Sequence, residues 1–201
     1  MIDASLLADL VTELPHAVRL QRLVRALREQ FRCGAVALLR QEGDTLRPVA
    51  IDGLVQEALG RRFLIAQHPR LATLLTSRNP VRFEPGSPLP DPYDGLLDGH
   101  AGEPLPVHDC MGISLYLEGQ PWGVLTLDAL HAGTFDGAAR NQLAETVLLV
   151  EAAVRVTRLE QERNHLRLAG HDGPLRPSAI EHGEILGQTP AILQLLQELT
   201  I

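Results

Sequence analysis

Apolar positions in the first thirty residues recur at helical intervals. Leu6, Leu7, Leu10, Val11 and Leu14 follow three- and four-residue spacing until Pro15 ends the run. A second stripe of Val18, Leu23, Val24, Leu27 and Phe31 carries arginines 19, 22, 25 and 28 on its polar side, the pattern of a helix with one buried face. Beyond Cys33-Gly34 the rhythm shortens to that of strands. Ala35–Arg40 and Leu46–Ile51, joined by Glu42-Gly43-Asp44, predict a hairpin. Leu54–Leu59 predicts one or two helical turns ending at Gly60. His68-Pro69-Arg70 opens a short apolar helix through Leu75, and Val81–Phe83 reads as a short strand. Residues 84–107 form a loop rich in proline and glycine, a length that in a compact domain signals function or disorder.

A clearer hairpin follows. Folding Cys110–Leu117 against Trp122–Leu130 about Gly119 sets Cys110 opposite Asp128, Gly112 opposite Thr126, Ser114 opposite Val124 and Tyr116 opposite Trp122. The other face pairs Met111 with Leu127 and Ile113 with Leu125. This register sorts one face into a purely apolar set and the other into a mixed one. Thr134-Phe135-Asp136 offers an N-cap to a long helix over about 138–167, in which Leu143, Val147, Val150 and Val154 make a heptad-like seam. Residues 170–177 read as a linker, and Thr189-Pro190 caps a last helix that runs to Ile201. Helices, antiparallel strands, an inserted loop, more strands and a long exit helix make an α+β layout.

Composition narrows the chemistry. The chain has 201 residues, 45% of them hydrophobic, enough for a substantial core. Its 18 cationic side chains are all arginine, against 25 carboxylates, for a net charge of −7. Without lysine there is no phosphate-loop lysine and no Schiff base. The acidic balance and the few aromatics (four Phe, two Tyr, one Trp) argue against nucleic-acid binding by this chain. Two cysteines cannot build a disulfide framework. No signal peptide or long apolar run is present, which makes the cytoplasm the expected location and leaves no membrane partner. Nucleophile elbows and phosphate loops are also missing, so the chain is not expected to be an enzyme.

One constellation carries metal chemistry. The hairpin register makes Cys110 and Asp128 neighbours, and His108 projects the same way if the strand extends that far. Asp91 and Asp94, three apart in the preceding loop, can join them from one turn. Such a mixed set is wrong for a structural zinc, and too rich in nitrogen and sulfur for Mg²⁺ or Ca²⁺. It suits six-coordinate Fe²⁺, Mn²⁺ or Co²⁺. The same residues also permit a plainer arrangement, with Asp91 and Asp94 capping turns, Cys110 packed as a small apolar group and His108 at the surface. His68 and Arg70, at a helix start, have either a surface or a pocket role, and Cys33 reads as buried filler.

The stretches Ala50-Ile51-Asp52-Gly53-Leu54, Leu59-Gly60-Arg61-Arg62-Phe63, His68-Pro69-Arg70-Leu71, Leu89-Pro90-Asp91-Pro92-Tyr93-Asp94-Gly95-Leu96 and Leu125-Thr126-Leu127-Asp128 together resemble the sensor domain of the NorR family. These are bacterial enhancer-binding, sigma-54-dependent regulators that respond to nitric oxide. The resemblance covers roughly residues 15–135, and Ile185-Leu186-Gly187-Gln188-Thr189-Pro190 is similar to the opening of the family's AAA+ domain. It implies an N-terminal helix over 1–14 and a GAF domain over 15–160, with a central antiparallel sheet, helices on one face and a ligand or metal pocket on the other. The end of the exit helix and a linker would follow over 161–183, then the start of an AAA+ domain over 184–201. It further implies one non-haem Fe²⁺ held by Asp91, Asp94, His108, Cys110 and Asp128, with Arg70, His68 and Tyr93 around it. Nitric oxide would be the signal and the downstream AAA+ ATPase the partner, and the heptad-like seam of the long helix separately suggests pairing with a second copy through the helices. A family arginine tied to restraint of the ATPase falls on Thr76 here, with Arg78 two residues on. Competing expectations are a GAF pocket for a small organic ligand such as a cyclic nucleotide, and a ferrous metalloenzyme.

Overall fold

The computed structural model describes residues 4–99, 102 and 109–171. Two helices lead, α1 (Ala4–Val11) and α2 (His16–Phe31), separated where Pro15 interrupts the backbone ladder. The first hairpin is β1 (Ala35–Glu42) and β2 (Thr45–Asp52). A 3-10 turn over Gln56–Gly60, the two-residue strand β3 (Phe63–Leu64), a further 3-10 turn, helix α3 (Pro69–Leu75) and strand β4 (Val81–Phe83) come next. The second hairpin is β5 (Asp109–Leu117) and β6 (Gln120–Ala129), and α4 runs from Gly137 to His171. The six strands form one antiparallel sheet in the order β3-β2-β1-β6-β5-β4. The two hairpins therefore lie side by side at its centre, joined by β1 and β6.

The register follows the alternation of side chains from Cys110 to Leu115, with Cys110 opposite Asp128, Gly112 opposite Thr126 and Ser114 opposite Val124. It slips by one at Tyr116, which pairs with Pro121 rather than Trp122. The turn is the cause. Glu118 and Gly119 both have positive φ, 52° and 79°, the signature of the two-residue turn whose twist matches that of the strands. Leu117 then pairs with Gln120, and a bulge beside Pro121, which has no N–H to give the ladder, restores the inner register.

Sheet pleat divides the interior into two cores. On one face Val36, Leu38, Met111, Ile113, Leu125 and Leu127 pack against α2 and α4. On the other, Ala35, Ala37, Leu39, Cys110 and Val124 pack against α3 and the loop segment that carries Tyr93, Leu96 and Leu97. The seam of Leu143, Val150 and Val154 is buried in the first core, with Val147 packed against it. That stripe is thus consumed within the chain, and the leucines that α4 exposes are Leu148, Leu159, Leu166 and Leu168. Arg19, fully buried, ties three helices together. It pairs with Glu160 on α4, and donates from Nε to Asp9 O (2.9 Å) and from Nη2 to Thr12 O (2.9 Å). The expected linker beyond His171 and the segment over 184–201 lie outside the described residues. No helix among the described residues is long and apolar enough to cross a membrane.

Candidate metal centre

The site begins at the N-terminus of α3. Pro69 occupies the first helical turn, where its missing N–H costs nothing, and Arg70 follows on the face toward the sheet. Arg70 is buried, and its guanidinium organises everything near it. Nε donates to Leu89 O at 2.8 Å, and Nη1 donates both to Asp91 Oδ2 at 2.9 Å and to Cys110 Sγ at 3.1 Å. The ring of Phe83, the β4 residue paired with Cys110, lies beneath it with 5.4 Å from guanidinium carbon to centroid. The Cys110 thiol in turn donates to Asp91 Oδ2 at 3.0 Å.

Asp91 is placed by the loop's own chemistry. Its Oδ1 accepts the backbone N–H of Tyr93 at 2.8 Å, an Asx turn stiffened by Pro92. That turn sends Tyr93 inward, where its hydroxyl meets Thr126 Oγ1 at 2.9 Å, and leaves Asp94 exposed. The Asp94 N–H reaches Asp91 O at 3.5 Å, so the two share one turn, but the Asp91 side chain is 3% exposed and paired with Arg70 whereas Asp94 lies at the surface. Asp94's charge still reaches Asp128. His68 is half-buried, edge-on to Phe63 at 5.2 Å and not among the residues that line the cavity, and burial lowers its pKa. His108 lies outside the described residues.

Asp91, Cys110 and Asp128 thus converge, one ligand atom of each lying within 4.8 Å of the others. Their electrostatics are unbalanced. Burial first, and then Asp91, push the Asp128 carboxyl well above its ordinary range, while Arg70 pulls the other way. Burial, Asp128 and Asp91 likewise drive the Cys110 thiol up. Asp128 Oδ2 is buried and accepts no hydrogen bond. Two carboxylates and a thiol share one guanidinium, and one carboxylate oxygen is orphaned. That is the condition a divalent cation would relieve, by favouring the charged form of each donor. The donor set of two hard oxygens and one soft sulfur fits a first-row transition ion better than Mg²⁺ or Ca²⁺. Against these groups lies a cavity of about 10 Å³, room for about one water, lined by Arg70, Leu71, Leu74, Phe83, Tyr93, Cys110, Thr126 and Asp128.

Strand β5 also links this cluster to α4. Asp109, adjacent to Cys110 and on the opposite face, is completely buried. It accepts Arg82 Nε (2.7 Å) and Nη2 (3.2 Å), and its Oδ2 takes the N–H of Phe135, two residues before α4 (3.1 Å). At the other end of β5, the bulge residue Tyr116 gives its N–H to Glu151 Oε1 on α4 at 2.8 Å. Pattern reading missed Asp109, although a carboxylate amid an apolar alternation announces a buried partner. It missed Thr126, Phe83 and Leu74 too, since nothing local marks residues that meet only through the tertiary fold. Thr76 caps α3 at its C-terminal end, and Arg78 stacks on the Tyr116 ring at 4.0 Å.

Comparison with known proteins places this geometry in context. The chain is 61% identical over 196 residues to the nitric oxide reductase transcription regulator NorR1 of Cupriavidus necator, covering 98% of this chain and 38% of that regulator. It is 40% identical over 198 residues to the anaerobic nitric oxide reductase transcription regulator NorR of Serratia proteamaculans, covering 98% of this chain and 39% of that one. The chain therefore spans well under half the length of these relatives. In structure it resembles the GAF domain of a phosphoenolpyruvate-protein phosphotransferase from Coxiella burnetii, with a TM-score of 0.58 and 19% identity, over 83% of this chain and 93% of that one. Residues 16–154 match the GAF domain pattern throughout, and the chain belongs to the GAF domain family.

Proposed function

We propose that this chain is the sensor portion of a nitric-oxide-responsive transcription regulator, holding one ferrous ion through Asp91, Cys110 and Asp128. His108 would supply a further ligand, and Asp94, exposed in this structure, would have to turn inward to join them. The observation that carries the metal is the orphaned Oδ2 of Asp128, buried within reach of a thiol and a second carboxylate. The relatives, named as regulators of nitric oxide reductase, support the signal, and their greater length supports a downstream partner. When bound, ferrous ion supplies the affinity for nitric oxide that no amino-acid side chain has.

The chain's own residues do the rest. Arg70 orients Asp91 and the thiol, and it balances their charge. Tyr93 and Phe83 close the cavity against water. Asp109 and Glu151 fasten β5, and with it Cys110, to the segment around α4. A shift of Cys110 along or across β5 therefore has two fixed points through which to bias the exit helix, provided nitric oxide distinguishes two states of that helix. In this reading the sensor restrains a following AAA+ ATPase, and nitric oxide relieves the restraint. The regulator is sigma-54-dependent and cytoplasmic, and pairs with a second copy through α4. The chain itself catalyses nothing. A cyclic nucleotide is a poor occupant, because the cavity has room for about one water and its polar rim is carboxylate.

Electron paramagnetic resonance of the anaerobically iron-loaded chain, before and after nitric oxide, tests the reading. A mononuclear high-spin signal that appears with nitric oxide, and is lost in Cys110→Ser or Asp128→Asn, is the expected result. Stoichiometric iron that gives no such signal sinks it.

A further inference from the structure

The cavity beside Cys110 and Asp128 is shut on one side by an interlock between α3 and β5. Leu74, 2% exposed, sits where β5 carries no side chain. A Cβ built on Gly112 would lie 2.5 Å and 3.0 Å from the two Leu74 methyls, and 2.8 Å from Leu125 O. Leu74 therefore occupies the volume that any other residue at position 112 would take. A glycine inside a central strand gives up packing and backbone order, and its usual structural reason is a close approach by another group. Here that group is Leu74. With Leu71 and Phe83 beside it, the space left next to the cluster is about 10 Å³.

We propose that Leu74, seated on Gly112, sets the size of ligand the site accepts, admitting a diatomic gas and excluding branched or ring-shaped ligands. The inference rests on the metal-centre reading for the identity of the ligand, but the interlock belongs to the chain alone. Leu74→Ala opens the leucine's volume into the existing cavity. The walls there are largely apolar, so the enlarged space takes an apolar guest. Gly112→Ala acts in the opposite sense. Its methyl would press on Leu74, but it would also lie 2.8 Å from Leu125 O on β6, so the strands must shift as well and this variant does not isolate the effect.

Two titrations decide the matter. In the metal-free chain, benzene followed by NMR should bind Leu74→Ala and leave the wild type unmoved. In the iron-loaded chain, tert-butyl isocyanide followed optically should bind Leu74→Ala on the order of 10–100-fold more tightly than wild type, the usual worth of steric fit in an apolar pocket. The ratio of tert-butyl isocyanide affinity to nitric oxide affinity, rather than either alone, reads the size limit. Leu74→Val, a smaller cut, should show the same trend more weakly if the alanine variant does not fold. Wild type taking up tert-butyl isocyanide as tightly as the variant overturns the proposal. So does a folded Leu74→Ala chain that leaves benzene unbound, or a folded Leu74→Val chain whose tert-butyl isocyanide affinity equals that of wild type. Failure of iron to load defeats the metal reading instead, and the benzene titration still decides this one.

Discussion

The two faces of the central sheet are built from the same strands, with opposite chemistry. Toward α2 and α4 the sheet presents Val36, Leu38, Met111, Ile113, Leu125 and Leu127. Their stabilisation is area removed from water, about 25 cal/mol per Å² and indifferent to pH. Toward α3 it presents Ala37, Cys110, Thr126 and Asp128, covered by Arg70, Asp91 and Tyr93. Burying those groups costs free energy unless each finds a partner, and Asp128 Oδ2 finds none. One face holds the domain together. The other spends some of that stability keeping donors dry and close, which a protein tolerates where the donors have work to do.

The largest effect expected on either face comes from Arg70→Met. The arginine and Asp91 side chains are 6% and 3% exposed, and the arginine is the cation facing both Asp91 and Cys110. Removing one partner of a buried pair strands the other, and costs about 3–5 kcal/mol. Urea unfolding at neutral pH measures it. A loss below about 1 kcal/mol, the scale of a surface pair, would mean that the site face is not held by this charge, and the contrast with the helix face would collapse.

Leu127→Ala probes the other face. Leu127 is fully buried against α2 and α4, and truncation costs about 2–5 kcal/mol through lost transfer energy and the cavity left behind. Urea unfolding compares it directly with Arg70→Met. A Leu127→Ala loss below about 1 kcal/mol would mean that the helix face is not held by packing, and the contrast between the faces would fail from that side.

How much of this contrast was written in the chain depends on the range of the contacts. The alternation from Cys110 to Leu115 dictated which residues face which core, because a one-residue slip would have turned Asp128 into the apolar layer. It failed at Tyr116, where a two-residue turn and Pro121 set the local pairing. The site was legible in its donors and not in their arrangement. Spacing suggested that Asp91 and Asp94 act together, but Asp91 folds back on the Tyr93 N–H, so Tyr93 turns inward and Asp94 stays outside. Arg70 joins Cys110 across forty residues of sequence, and no local pattern encodes such a contact. Asp109 was overlooked because it sits one residue from a candidate ligand and faces the other way.

A smaller effect, opposite in sign, is expected at Asp128. Burial and Asp91 raise its carboxyl pKa in the folded chain above the unfolded value of 3.8. Its contribution to stability is therefore complete below that value and is lost as pH rises through the raised folded pKa. In the metal-free chain Asp128→Asn should remove this loss, making the variant more stable than wild type near neutral pH and flattening the profile above acid pH. Thermal unfolding across the acid-to-neutral range checks the slope. Stability that rises with pH through that window because of Asp128 would show that the carboxylate is well balanced, leaving no electrostatic reason for a cation.

The smallest effect separates a polar contact that serves the fold from one that serves the cavity. Tyr93→Phe deletes the hydroxyl that meets Thr126 Oγ1 at 2.9 Å and keeps the ring packed edge-on to Phe63 at 5.7 Å. Thr126 is not orphaned by the change, since its hydroxyl also reaches Ala37 O at 3.4 Å. Only one hydrogen bond is lost and no buried donor is stranded, so the cost should be about 1 kcal/mol, well below that of Arg70→Met. Urea titration resolves that difference. A loss near 3 kcal/mol would mean that the hydroxyl pair holds the loop on the sheet, so that the site face depends on its neutral polar contacts as much as on its charges. A loss of about 1 kcal/mol leaves Arg70 as the group on which the placement of Asp91 and Cys110 depends.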